Sequence, residues 1–127
     1  MESYICNIKN EKERIAITKF RLSNHRLMIE IGRHTGINKE FRFCKFCPNL
    51  IEDEIHFLTT CKTFEKQRNE LMDKIRRKKE LNFACMDKNS VFVFLMGNGD
   101  IAPLVAKYIR TTLEIRQFLI NSHKRQI

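Results

Sequence analysis

"CKFCPNLIEDEIHFLTTC", residues 44–61, decides how the whole chain is read. Three cysteines and a histidine stand in the order Cys44-x2-Cys47-x8-His56-x4-Cys61. A Cys-x2-Cys pair in a tight turn aims two sulfurs at one ion, and Pro48 and Asn49 suit such a turn. His56 and Cys61 then complete a tetrahedron. In an unbroken helix, residues five apart stand about 140° around the axis and about 7.5 Å along it, more than metal bonds of about 2.0 to 2.3 Å bridge. The helix carrying His56 is therefore expected to end before Cys61, at Thr59 and Thr60, which are poor helix formers. Three thiolates and one imidazole match tetrahedral structural zinc. Cys44, Cys47, His56 and Cys61 are accordingly assigned to one zinc ion. Four protein ligands leave no open position for water, so the ion is expected to hold shape and not to catalyse.

Glu52, Asp53 and Glu54 precede the histidine. Either they favour the positive end of a helix, or one of them accepts a hydrogen bond from the ring nitrogen of His56 that does not face the metal.

Outward from this stretch, the pattern is helical. The whole chain has only two prolines and four glycines, few breakers for its length. A first helix is expected from Glu11 to about Leu22, with Ile15, Ile17, Phe20 and Leu22 as its apolar side. Ser23 and Asn24 interrupt it and can cap a second helix. That second helix runs to about Arg33 with Leu27, Met28 and Ile31 on one face, ended by Gly32 or Gly36. "FRFCKF", residues 41–46, alternates and reads as a short strand. Thr63 is the expected N-cap of a long helix to about Glu80, with Phe64, Leu71 and Ile75 as its stripe and Met72 beside them. Ser90 is expected to cap "VFVFLM", a short helix, with a strand as the alternative because of Val91 and Val93. Pro103 suits the first turn of a last helix to about Asn121, buried along Val105, Tyr108, Thr112, Ile115 and Leu119. The expected fold is mostly α: one small helical domain, 1–127, with a helical lead-in (1–40), a short β-turn CCHC zinc knuckle inserted between helices (41–61) and a helical C-terminal part (62–127).

The 127 residues suffice for one domain with a modest core. Their start lacks the basic-then-apolar order of a signal peptide, and the longest apolar run, residues 91–96, is too short to cross a bilayer. The expected location is intracellular, nuclear or cytoplasmic, with no membrane partner. In that reducing setting five cysteines argue for metal and free thiols over disulfides. Cys85 is read as a packed thiol. His25 and His34 are read as capping, packing or exposed.

Residues 22–68 resemble the zinc-binding segment that comes after the polymerase in reverse transcriptases of non-long-terminal-repeat retrotransposons. The resemblance lies in Arg21, Leu22 and His25, then Cys44 and Cys47, then Glu52, Glu54 and His56, then Cys61, Phe64 and Arg68. It implies contact with element RNA or target DNA. A protein partner, such as the reverse-transcriptase core, is the alternative. No polymerase "Y-x-D-D" motif or nuclease carboxylate set is present. The resemblance thus implies a fragment, remnant or captured domain that is not an enzyme by itself.

A net charge of +9, from 24 Lys and Arg against 15 Asp and Glu, agrees with an anionic partner. "KIRRKKE", residues 74–80, offers Lys74, Arg76, Arg77 and Lys78 to phosphates, or it is simply a solvated helix end. Arg42 and Lys45 interleave with Phe46 beside the cysteine pair, where an aromatic stacks on unpaired bases or packs in the core.

Overall fold

Asn10 opens the first helix, α1 (Glu11–Arg21): its side chain accepts a hydrogen bond from the Glu13 amide at 3.1 Å, satisfying one of the orphan donors of the first turn. The computed structural model describes residues 8–22, 25–78 and 85–125. Cys6, Ser23, Asn24, Lys79 and Glu80 lie outside the described residues. Among the described residues five further helices come after α1: α2 (Met28–Thr35), α3 (Glu54–Thr59), α4 (Glu65–Lys78), α5 (Lys88–Gly97) and α6 (Ala102–Arg125).

Gly36 ends α2 at φ 79°, a left-handed position that glycine takes without a Cβ penalty. Gly32 has a different task. A Cβ there would stand 2.5 Å from Cγ of Arg42, whose side chain crosses α2 at this point.

Several expectations are corrected. Residues 41–46 do not form a strand. A 3-10 turn spans Lys39–Phe41, and the one bridge among the described residues pairs Phe43 with Ile51. Pro48 has no N–H to donate and Asn49 sits at φ 69°, so the opposing segment cannot extend the ladder. Thr63 is not an N-cap; it lies inside a second 3-10 turn, Lys62–Phe64, that leads into α4. Ser90 does not cap α5. Asp87 does, accepting from the Ser90 amide at 2.7 Å. Residues 91–96 are helical, because Val91 and Leu95, four apart, fall together on the buried side.

α6 packs along α1 and α4, and α5 lies against α3. The core between them contains Ile17, Phe20, Leu27, Phe57, Leu58, Phe64, Leu71, Ile75, Leu95, Val105 and Ile109. Phe57 is its centre, with ring centroids 5.8 Å from Phe20, 5.7 Å from Phe64 and 6.0 Å from Tyr108. On α1, Ile17 and Phe20 are buried, whereas Ile15, and Leu22 just past the helix end, are exposed. On α6 the buried line passes through Val105, Ile109, Thr112, Arg116 and Ile120. Ile115 and Leu119, expected on that line, are half-buried. An arginine occupies the core position that the apolar pattern skipped.

Among the described residues no single helix is long and apolar enough to cross a membrane. α5 together with residues 99–122 would pass by length and composition, but the two are bent by 77°, and Val91, Leu95, Val105 and Ile109 on them form part of the core.

Candidate metal centre

The loop from Arg42 to Glu52 closes on itself through backbone hydrogen bonds. The Cys44 amide donates to the Leu50 carbonyl at 2.7 Å, the Leu50 amide to the Cys47 carbonyl at 3.2 Å, and the Glu52 amide to the Arg42 carbonyl at 3.0 Å. Asn49 takes the left-handed conformation that lets the chain reverse so tightly, a conformation asparagine tolerates better than most residues.

Asp53 then caps α3, accepting from the His56 amide at 2.8 Å. The helix stops at Thr59. The amides of Thr60 and Cys61 both converge on the His56 carbonyl at 2.9 Å, and Thr60 leaves helical geometry at φ −125°. The break falls where the five-residue separation of His56 and Cys61 required it.

The result brings all four expected ligands together. Cys44, Cys47, His56 and Cys61 are buried, and each offers a ligand atom within 4.8 Å of the others, close enough to hold one metal ion. The Cys61 Sγ is 3.9 Å from that of Cys44 and 3.8 Å from that of Cys47. His56 Nε2 is buried and, among the described residues, has no hydrogen-bond partner. A buried ring nitrogen left unpaired is costly, and a metal ion would satisfy it. The close contact between the two sulfurs pushes the Cys44 thiol up and holds the Cys61 thiol well below its ordinary range.

The acidic trio serves other partners. Glu54 meets His25 Nε2 at 2.8 Å, while His25 Nδ1 accepts from the Leu27 amide at 3.3 Å. Glu52, 1% exposed, accepts from Arg116 Nε at 2.9 Å, Arg116 Nη2 at 2.6 Å and the Met28 amide at 2.7 Å. The Oε2 that accepts from Arg116 Nε also lies 3.7 Å from the Cys44 sulfur. Arg68 is also buried, and its guanidinium donates to the carbonyls of Leu58 at 3.1 Å and Cys61 at 2.6 Å. Arg68 and Arg116 thus brace the site from α4 and α6. Sequence reading gave them no such role. The available signal was a charged residue at helical spacing within a buried stripe.

The expected nucleic-acid contacts occupy different settings. The Arg42 guanidinium donates to the carbonyls of Ile29 at 3.0 Å and Ile37 at 2.9 Å. Phe46 is half-buried, edge-on to Phe64 at 6.0 Å. Lys45, Lys74, Arg76, Arg77 and Lys78 are exposed, and Arg76 pairs with Asp73 at 3.0 Å. Cys85 is exposed, not packed. His34 is exposed as well. No family model, curated protein or solved structure matches the chain.

Proposed function

We propose that the chain is a nucleic-acid-binding module whose loop at 41–61 is a zinc knuckle. The sulfur separations of 3.8 and 3.9 Å support zinc, because bonds of about 2.3 Å in a tetrahedron set sulfurs about 3.8 Å apart. Four protein ligands fill the tetrahedron, so the ion is structural and the module is not an enzyme. Its place of action is inside the cell, nuclear or cytoplasmic, on RNA or DNA. The resemblance to the zinc-binding segment of non-long-terminal-repeat reverse transcriptases points the same way, with the module a fragment, remnant or captured domain of such an element.

The observation that carries this reading is the division of labour among the cations. Arg68 and Arg116 are buried and serve the fold, whereas Lys45, Lys74, Arg77 and Lys78 are exposed and make no ion pair among the described residues. Unpaired surface cations are what a phosphate backbone engages. Titrating the zinc-loaded chain against single-stranded RNA, duplex DNA and a non-nucleic polyanion tests it. Selective binding to one nucleic acid supports the reading, and binding to none at low salt ends it.

A second reading, a zinc-stapled module that binds protein, is favoured by the large apolar side chains left exposed at Phe41, Val93 and Phe118. Binding to no nucleic acid in the same titration would give it first place.

A further inference from the structure

A groove of about 540 Å³ runs between α1 and α6. Its apolar lining is Ile15, Ala16 and Phe20 from α1 and Leu113 from α6. Its rim is basic. Lys12 and Lys19 stand two turns apart on α1, about 10 Å along the axis, and Arg26 and Arg110 continue the rim. Lys12, Lys19 and Arg26 are exposed and make no ion pair among the described residues. Among the described residues that line the groove, Glu114 is the one acid, and it is 3.4 Å from Arg110. Arg116 reaches the groove from below but is committed to Glu52.

We propose that this groove seats a single nucleic-acid strand, with phosphates on Lys12, Lys19 and Arg26 and sugars or bases over Ile15, Ala16 and Leu113. The inference rests on the nucleic-acid reading above and moves its main contact from α4 to the cleft between α1 and α6. Charge selects the class of partner: four cations line the rim against one paired carboxylate. The apolar lining between the cations selects the single strand. Unpaired bases can turn into a cleft and cover aliphatic side chains, whereas a duplex keeps its bases stacked inside and meets only the rim. An amphipathic helix fits less well, since it needs a row of deep apolar pockets for anchors on successive turns. Here only Ile15 and Leu113 offer sizeable apolar surface, and Ile15 remains 47% exposed.

The test is fluorescence anisotropy on the zinc-loaded chain with dye-labelled oligouridylate, oligothymidylate and a duplex of equal length, and with polyglutamate as competitor. Two variants of equal net charge are compared, Lys12→Glu/Lys19→Glu and Lys74→Glu/Arg77→Glu. All four positions are exposed, and matching thermal melts by circular dichroism confirm that both variants are folded. The α1 variant is expected to weaken single-strand binding by roughly tenfold or more, and the α4 variant by only a few-fold, because salt-dependent phosphate contacts are lost where the strand sits. Ile15→Ser should reduce single-strand affinity and leave duplex affinity unchanged. Wild-type binding that falls no further in the α1 variant than in the α4 variant overturns the groove and leaves the nucleic-acid reading standing. Polyglutamate displacing the strand at lower concentration than unlabelled strand assigns the groove to an acidic protein and overturns the inference. Failure of the wild type to bind any nucleic acid overturns both.

Discussion

Arg116 and Glu52, 64 residues apart in sequence, meet through two hydrogen bonds in a site where both side chains are almost wholly buried. The pair ties α6 to the residue that also holds the start of α2 and touches the Cys44 sulfur. Arg116→Met alone is expected to cost about 3 to 5 kcal/mol, because it strands the Glu52 charge in the interior. Glu52→Gln combined with Arg116→Met should cost less than Arg116→Met alone, since the amide still accepts from the Met28 amide without a charge. Urea unfolding of the single and double variants measures this, and additive losses would show that the two side chains do not act as a pair.

One zinc ion per chain is the expected stoichiometry. Replacing Cys44, Cys47 or Cys61 by Ser, or His56 by Ala, should remove most of it. Cys85→Ser should not, since that thiol is exposed and outside the cluster. Elemental analysis of the purified variants decides. Full metal content in Cys61→Ser would break the four-ligand assignment.

Chelation should unfold the loop before the helices. The segment from 41 to 61 has few apolar contacts of its own beyond α3, so the ion is expected to supply its shape. Hydrogen exchange with and without a chelator should show protection lost at the Cys44, Leu50 and Glu52 amides while the middle of α6 keeps its protection. Unchanged protection at those three amides would mean that the loop holds without metal.

Alkali should weaken the fold in a defined window. Burial is the main cause that lifts the Tyr108 phenol from 10.0 to about 12. The group is neutral in both states below pH 10, and above it the unfolded chain ionises first. Stability is therefore full below about pH 10 and falls as pH climbs to 12, by roughly 2 to 3 kcal/mol from this group. Tyr108→Phe should flatten that slope, while losing about 1 kcal/mol at neutral pH with the hydrogen bond to the Phe57 carbonyl at 3.1 Å. Denaturant midpoints from pH 8 to 12 would report an equal slope in both proteins if Tyr108 played no part.

Gly32→Ala is expected to destabilise by about 1 to 3 kcal/mol, since its methyl group would collide with the Arg42 stem. Arg42→Ala should relieve most of that penalty in the double variant, a non-additivity that thermal melts can read.

The centre was legible because its constraint is local. Ligand chemistry and a five-residue gap demanded a helix break, and Thr59 and Thr60 stood there. Gly36 and Pro103 announced a helix end and a helix start for equally local reasons. What sequence reading missed depends on partners far away. Arg116 breaks the apolar pattern of α6, and its counter-charge lies on a different segment. The 41–46 alternation was real as a pattern, yet a strand needs an opposing strand, and Pro48 and Asn49 deny it one. Asp87 and Ser90 show a finer error: both residues suit a helix start, and the carboxylate three positions earlier caps the third.

The two sulfurs of Cys44 and Cys61 close a loop 17 residues long, and the Arg116–Glu52 pair one of 64. The longer closure costs only about 1 kcal/mol more in chain entropy, so the difference that matters is one of time. During synthesis at about 5 to 20 residues per second, the four expected ligands are all made roughly 3 to 11 seconds before Arg116. Through that interval Glu52 has no guanidinium to meet and keeps its hydration. The loop that carries Cys44, Cys47, His56 and Cys61 is therefore expected to close on a nascent chain before the last helix arrives to cover Glu52.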